Sequence, residues 1–125
     1  MNINESAENY LETILILSNE LECVRAIDIA KKLNYSKPSI SKAMNILRER
    51  EYIIIENNNI ELTKKGNLIA KEIYEKHKVI TKFLIKTLDL DFNEAEINAC
   101  KIEHIITVNC YQKIKEKVGE EDGSN

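Results

Sequence analysis

Glycine and proline are scarce in this sequence: three glycines and one proline occur among 125 residues, and tryptophan is absent. So few helix-breaking residues in a chain rich in isoleucine, leucine, lysine and glutamate predict a mostly helical structure with few tight turns. Long apolar runs are missing as well, and residues 1–10 contain neither a basic nor an apolar segment. We therefore expect neither a membrane-spanning helix nor a secretory signal.

Cysteine is also rare. Cys23, Cys100 and Cys110 form an odd set without the short paired spacings of a disulfide framework. This usage is typical of proteins in a reducing compartment, so we expect a cytoplasmic protein. A chain of this length can bury a hydrophobic core without disulfides, either as one domain or as a small domain followed by a dimerising segment.

Positive charge is concentrated in the middle of a chain whose net charge is −3. Residues 24–66 carry nine Lys and Arg residues against five Asp and Glu residues, a net charge of +4, and the rest of the chain carries −7. A basic segment within an acidic chain indicates a polyanionic partner for that segment.

Two short helices are predicted in the basic segment. The first, in "VRAIDIAKKLNY", places Ile27 and Ala30 inward and ends near Asn34, which tolerates the left-handed backbone conformation. The second, in "SKPSISKAMNILRERE", begins at the N-cap Ser36 and has Pro38 in its first turn. Two such helices joined by about three residues are typical of a helix-turn-helix.

The outward face of the second helix is suited to DNA. Its apolar residues Ile40, Ala43, Met44 and Leu47 define the buried side. The polar residues that then face solvent are Lys37, Ser39, Ser41, Lys42 and Asn45. Their hydroxyl, amide and ammonium groups can reach base edges and phosphates in a major groove.

A β-hairpin is predicted after these helices. The segment "YIIIENNNIELT" contains two alternating stretches around a tip at Asn57–Asn59, and asparagine accepts the positive φ angles of a tight turn. A helix-turn-helix followed by a hairpin is a winged helix. Thr63 is then predicted to cap a long helix that ends at Leu88, and a last helix is predicted from about Glu94 to Val118.

A second group of polar residues lies outside the DNA-binding segment. Cys100, Glu103 and His104 in "ACKIEH" are spaced i, i+3 and i+4, which places all three side chains on one face of a continuous helix. His77 interrupts the apolar stripe of the preceding long helix. Neither the "ACKIEH" trio nor His77 is by itself strong evidence for a metal site, because such residues are more often hydrogen-bonded core or surface residues than metal ligands.

Four segments in this order resemble the diphtheria toxin repressor and manganese transport regulator family of metal-dependent transcriptional repressors. They are "AENYLETILIL", "IAKKLNYSKPSISKAMNILRE", "ELTKKGNLIAKEIYEKH" and "ACKIEH", and the resemblance covers residues from about 6 to 115. No single segment is specific, so the resemblance depends on their order and spacing.

The resemblance implies a mostly α fold with a small β-hairpin, in which an N-terminal winged helix-turn-helix is followed by a helical metal-binding and dimerisation domain. We expect the winged-helix DNA-binding domain at residues 1–63, the helical domain at residues 64–118 and a flexible tail at residues 119–125. The chain is expected to be the short two-domain form, which lacks the C-terminal SH3-like domain of longer members.

The resemblance further implies a site for divalent metal. Its expected ligands are Asn9, Glu12, His77, Cys100, Glu103 and His104. Carboxylate, imidazole and thiolate ligands suit Fe²⁺ or Mn²⁺, with Co²⁺ or Zn²⁺ as substitutes. Cysteine at position 100 follows the iron-type members, so Fe²⁺ is favoured and Mn²⁺ is next, whereas Asn9 stands where the family has methionine or aspartate. Glu96, with His77, is a candidate for an ancillary metal site.

The same resemblance assigns DNA-contacting roles to Ser36, Pro38, Ser39 and Lys42, and Lys37 stands where the iron-type members have glycine. We expect a repressor rather than an enzyme. Metal would bridge an N-terminal helix predicted from Ser6, which carries Asn9 and Glu12, to the helical domain and fix the angle between the two halves of each subunit. In a homodimer, the recognition helices would then lie about 34 Å apart and enter successive major grooves of double-stranded operator DNA.

Two alternatives stay open at this point. One is a winged-helix regulator that senses thiol oxidation through Cys100 and Cys110, or a small organic ligand, instead of metal. The other is a metalloenzyme that uses Glu103 as a base beside a metal-bound water. The enzyme alternative leaves the basic helix-turn-helix unexplained, and the chain has no glycine-rich loop.

Overall fold

The structure is a computed structural model that describes residues 5–122, with side chains for residues 5–119. Within that range the chain forms six helices and one hairpin. Their bounds are α1 (Glu5–Glu20), α2 (Ala26–Leu33), α3 (Lys37–Glu49), β1 (Ile53–Glu56), β2 (Asn59–Leu62), α4 (Lys64–Leu88), α5 (Phe92–Ile102) and α6 (Val108–Asp122). The predicted fold class, mostly α with a small hairpin, is confirmed.

The chain divides into two compact units, Met1–Lys71 and Glu72–Asn125, and α4 runs through the division. The domain bounds expected at residues 63 and 118 stay a prediction. The expected flexible tail begins inside α6, and its last residues, 123–125, lie outside the described residues. No helix in the described part of the chain is both long and apolar enough to cross a membrane.

The first unit has the predicted winged-helix elements. Asn34 ends α2 in the left-handed conformation, with φ 59°, and the Ser36 side chain caps α3 by accepting a hydrogen bond from the Ser39 backbone N–H. The hairpin reverses through Asn57 and Asn58, whose φ angles are 51° and 67°. Two consecutive residues with positive φ form the turn that matches the twist of an antiparallel pair.

The third asparagine of the predicted hairpin tip has a different role. Asn59 belongs to β2, and its side-chain oxygen accepts a hydrogen bond of 3.0 Å from the Val24 backbone N–H. The backbone N–H of Ile60 donates to the Val24 carbonyl at 2.7 Å. The hairpin therefore holds the segment that leads into α2.

The core of the first unit lies between α1, α2, α3 and the hairpin. Its fully buried members include Leu11, Ile14, Ile29, Ile40 and Tyr52. The prediction that Ile27 points inward is wrong, because Ile27 is 36% exposed whereas Ile29 is completely buried. Helix α2 starts at Ala26, so its inward stripe is Ala26, Ile29, Ala30 and Leu33, the i, i+3, i+4 and i+7 positions.

The second unit packs the later part of α4 against α5 and α6. Its core contains Ile80 and Leu84 of α4, Ala95 and Ala99 of α5, and Tyr111 of α6. Small alanines at positions 95 and 99 allow the α5 backbone to approach the larger side chains of α4.

The predicted last helix is in fact two helices. Instead of one helix from Glu94 to Val118, α5 ends at Ile102 and α6 begins at Val108. The Thr107 hydroxyl accepts a hydrogen bond of 3.2 Å from the Cys110 backbone N–H, so Thr107 starts a new helix. β-Branched residues at 105–107 have weak helix propensity and favour the break.

Candidate metal centre and nucleic-acid interface

The recognition helix α3 presents the polar face that its sequence predicts. Its apolar residues Ile40, Met44 and Leu47 are buried, whereas all seven predicted DNA-binding residues are exposed: Ser36, Lys37, Pro38, Ser39, Ser41, Lys42 and Asn45. Asn45 accepts a hydrogen bond of 3.0 Å from the Arg48 guanidinium. A polar, basic and acid-free surface at the start of a helix can contact both phosphates and base edges.

A groove runs between this face and the hairpin. Lys37, Ser41 and Asn45 line one side, Asn58 lines the other, and Arg25 lies at the start of α2. Arg25 and Asn58 were not among the residues predicted from sequence. The basic segment contains both, but their approach to α3 depends on how the hairpin folds back, which local sequence patterns do not reveal.

The second unit brings together three of the predicted metal ligands. The His77 ring on α4 lies with its Nδ1 atom 2.8 Å from Oε1 of Glu103, and Nε2 of His104 lies 3.3 Å from Oε2 of the same carboxylate. The side chain of Glu103 is completely buried and that of His104 is 3% exposed. One buried carboxylate therefore lies between two imidazoles.

Local structure fixes the backbone positions of these residues. His77 lies on the continuous helix α4, and the hydroxyl of Thr81 donates a hydrogen bond of 2.7 Å to the His77 carbonyl. Glu103 is the C-cap residue of α5, and its backbone N–H donates to the Ala99 carbonyl at 2.9 Å. His104 follows in the turn that ends the helix, so the break between α5 and α6 determines where both side chains lie.

The donor set fits a divalent transition metal. Oε2 of Glu103 is buried and has no hydrogen-bond partner among the described residues, although His104 is close. A buried carboxylate oxygen without a donor is energetically costly, and a cation at this position would satisfy it. Imidazole nitrogen and carboxylate oxygen are ligands that Fe²⁺, Mn²⁺, Co²⁺ and Zn²⁺ share.

Glu96 lies at the rim of this site. Its Oε2 atom is 3.5 Å from Nε2 of His77, and its side chain is 44% exposed. The His77 ring thus contacts a buried carboxylate through one nitrogen and a solvent-facing carboxylate through the other. The ancillary site at His77 and Glu96 stays a prediction.

Cys100 differs from its predicted position. The expectation that Cys100, Glu103 and His104 share one face of a continuous helix is wrong, because α5 ends at Ile102. Cys100 is exposed, whereas Glu103 is buried. The cysteine lines a shallow surface groove with His77 and Glu96, so its role as a ligand stays a prediction.

Asn9 and Glu12 lie one turn apart on α1, which belongs to the first unit. Glu12 is buried and Asn9 is half-buried. The Thr13 hydroxyl donates a hydrogen bond of 2.8 Å to the Asn9 carbonyl, as is common for threonine within a helix. The roles of these two residues as metal ligands also stay predictions.

Two family models match consecutive parts of the chain. Residues 2–59 match the N-terminal DNA-binding domain of iron-dependent repressors, and residues 63–122 match their metal-binding and dimerisation domain. Together the two matches include α3 with its exposed polar face and the cluster of His77, Glu103 and His104.

Several curated proteins are similar over most of this chain. An uncharacterized HTH-type transcriptional regulator of Methanocaldococcus jannaschii is 33% identical over 115 residues, which cover 90% of this chain and 92% of that protein. The HTH-type transcriptional regulator MntR of Shouchella clausii is 31% identical, covering 90% of this chain and 79% of MntR. The iron-dependent repressor IdeR of Mycobacterium tuberculosis is 27% identical, covering 88% of this chain but 48% of IdeR.

Solved structures show the same fold. The manganese regulator SloR has a TM-score of 0.80 at 28% identity, and T. acidophilum IdeR has a TM-score of 0.83 at 24% identity. Each similarity covers 95% of this chain and 55% of the other. The chain therefore spans about half the length of these two structures and of mycobacterial IdeR. From the two domain matches and these relatives, the chain belongs to the iron-dependent repressor family of metal-dependent, DNA-binding transcriptional repressors.

Proposed function

We propose that this protein represses transcription by binding double-stranded operator DNA as a homodimer, with a divalent metal as co-repressor. Fe²⁺ is the favoured metal and Mn²⁺ the next. The protein acts by binding rather than by catalysis, and it acts in the cytoplasm, where its three cysteines stay reduced.

The observation that carries this proposal is the buried carboxylate of Glu103 between the rings of His77 and His104. It lies in the segment that matches a metal-binding and dimerisation domain. The same chain carries an exposed recognition helix in the segment that matches a DNA-binding domain. A regulator that couples metal to DNA needs both.

The remaining ligands are proposed from the sequence resemblance alone. Asn9 and Glu12 would add an amide oxygen and a carboxylate, and Cys100 a thiolate. The bound metal would supply a positive charge that holds ligands from different helices together. If metal favours the DNA-binding arrangement of the chain, metal must raise DNA affinity, and DNA must raise metal affinity by the same factor.

The proposal is tested by an anaerobic gel-shift titration. The probe is a duplex selected from random sequence by the purified chain in Mn²⁺, and binding is measured with Fe²⁺, with Mn²⁺ and with chelator. We expect affinity to be higher with either metal by about 5- to 150-fold, the usual range of such coupling. Equal affinity with metal and with chelator would contradict the co-repressor role.

A second candidate function follows from the exposure of Cys100 and Cys110. Accessible thiols can be oxidised by peroxide to sulfenic acid, and a winged-helix regulator could respond to that change instead of to metal. Elemental analysis after anaerobic dialysis separates the two functions. The metal-dependent repressor retains metal in a fixed ratio to protein, whereas a thiol sensor retains none and loses its peroxide response in the variant with both cysteines changed to serine.

A further inference from the structure

We propose that the groove between α3 and the hairpin holds one sugar–phosphate strand of duplex DNA and that Arg25 is a phosphate contact within it. This inference rests on the proposed function, because it assumes that the first unit binds DNA. It adds a residue outside α3 to the DNA-contacting set and predicts what that residue recognises.

The lining of the groove is complementary to a nucleic-acid backbone. Arg25 and Lys37 supply two cations, Ser41, Asn45 and Asn58 supply short polar groups, and no acidic side chain is among the described residues that line it. Its floor includes the apolar side chains of Met44, Ile55 and Ile60. Phosphates require cations and hydrogen-bond donors, whereas the carbon atoms of deoxyribose can pack on an apolar floor.

The backbone around Arg25 is held at three points. Within the segment before α2, the Val24 N–H donates to the Asn59 side chain at 3.0 Å, and the Val24 carbonyl accepts from Ile60 at 2.7 Å. The Arg25 N–H donates to the Asp28 carboxylate at 2.9 Å. Because this backbone is already ordered, DNA binding has to order only the Arg25 side chain and not the segment that carries it.

The position of Arg25 relative to α3 favours a phosphate over a base. Lys37, Ser41 and Asn45 lie along α3 itself, so they can reach base edges in a major groove as well as the adjacent phosphates. Arg25 precedes α2, the first helix of the helix-turn-helix, and in such motifs the first helix crosses the DNA backbone. We therefore expect Arg25 to contribute affinity without sequence preference.

The test is fluorescence anisotropy with a labelled random-sequence duplex of about 30 base pairs in Mn²⁺, over a series of KCl concentrations. Arg25→Gln removes one phosphate contact, so the slope of log affinity against log salt should become shallower by about 0.9. At 0.1 M salt, that slope change corresponds to an affinity loss of about eightfold. Arg25→Lys keeps the charge and should keep most of the slope.

Lys32→Gln is the matched control. Lys32 is exposed in the last turn of α2, outside the groove, and its replacement removes the same charge. Because Lys32 is not expected to contact a phosphate, the slope of log affinity against log salt for Lys32→Gln should stay within about 0.3 of the wild-type slope. An Arg25→Gln slope equal to that of the wild type or of Lys32→Gln would overturn the inference alone. A wild-type chain that binds no duplex would overturn the proposed function as well.

Discussion

Glu103 combines deep burial with a negative charge and two imidazole neighbours, His77 and His104. We predict that Glu103→Gln removes the rise in melting temperature that Mn²⁺ or Fe²⁺ produces, because the neutral amide is a far weaker ligand than a carboxylate. Replacing a residue that only hydrogen-bonds to a metal ligand weakens metal binding by up to about 100-fold. Loss of a ligand itself should therefore weaken metal binding by at least about 100-fold. Thermal unfolding with and without metal measures both effects.

The metal-free stability of the same variant provides a second readout. Without metal, the buried carboxylate is costly, so Glu103→Gln should leave the metal-free melting temperature unchanged or higher. Glu116→Gln, at an exposed acid on α6, is the control and should keep the full metal response. A Glu103→Gln chain that still gains stability from metal would contradict the assignment of Glu103 as a ligand.

Cys100 is the residue that the sequence resemblance assigns to metal selection. We predict that Cys100→Asp shifts the preference from Fe²⁺ toward Mn²⁺, because a carboxylate is a harder ligand than a thiolate. Anaerobic calorimetric titration of both metals into wild type and variant measures the ratio of affinities. An unchanged ratio would show that the exposed thiol does not select the metal.

The sequence predicted the exposure and position of some side chains but not of others. The polar face of α3 followed from helical periodicity, because burial of Ile40, Met44 and Leu47 leaves its polar positions outside. The exposure of Cys100 could not be predicted in the same way, since it depends on where α5 ends. Arg25 was missed because the preceding residue, Val24, is held by Asn59 of the hairpin, which lies 35 residues further along the chain.

At the scale of elements, the junction between the hairpin and α4 depends on one glycine. The Thr63 hydroxyl accepts from the Gly66 N–H at 3.1 Å and caps α4, as predicted, and a Cβ atom at Gly66 would lie 2.1 Å from the Tyr52 carbonyl oxygen. We predict that Gly66→Ala lowers the free energy of unfolding by about 1–3 kcal/mol, because the clash outweighs the better helix propensity of alanine. Urea denaturation measures the change.

Asn67→Ala, one residue further along α4, is the control for helix propensity. It introduces alanine without the contact to Tyr52 and should be neutral or slightly stabilising. If Gly66→Ala were as stable as Asn67→Ala, the close approach of α4 to the Tyr52 carbonyl would be contradicted.

An ion pair connects α4 with α6 in the second unit. Nζ of Lys115 lies 2.9 Å from Oε1 of Glu75, and this hydrogen bond lowers the pKa of the Glu75 carboxyl below its ordinary value of 4.5. A lowered pKa in the folded state means that the pair stabilises the fold above pH 4.5 and that this stability is lost as pH falls through the folded value.

We predict that Glu75→Gln costs about 0.2–1 kcal/mol of unfolding free energy at pH 7, since both side chains are about half exposed and screened by solvent. The difference from wild type should shrink as pH falls below 4.5 and should also shrink in high salt. Urea denaturation at pH 7 and pH 3 measures it, with Glu72→Gln as a control at a nearby exposed acid. A difference that is the same size at pH 3 as at pH 7 would rule out the ion pair as its cause.

The order of elements could be read from the sequence almost completely, and the error occurred in one place. Asparagines at the hairpin turn and threonine at the start of α4 are local signals, and both acted as predicted. At the break in residues 103–107, Thr107 is likewise a local signal for the start of a helix. The i, i+3 and i+4 spacing of the polar residues in "ACKIEH" nevertheless led to the prediction of one continuous helix. The cap at Thr107 outweighed that spacing.

For the whole molecule, the two units separate two tasks. The winged-helix unit contains the exposed basic face, and the helical unit contains the buried acid and histidines. The charge of +4 in residues 24–66 lies within the first unit, whose other residues are acidic enough to bring its net charge to zero, whereas the second unit carries a net charge of −3. The family of the chain and its fold were predictable from the sequence, whereas the ligand set of the metal depends on side-chain positions that sequence patterns do not determine.

The central claim is that metal and DNA bind to the same state of the molecule. The most direct measurement is an anaerobic calorimetric titration of Mn²⁺ into the wild-type chain, first alone and then saturated with its selected duplex. Thermodynamic linkage predicts that DNA tightens metal binding by the same factor by which metal tightens DNA binding, typically about 1–3 kcal/mol. Equal metal affinity in the free and the DNA-bound chain would contradict the account.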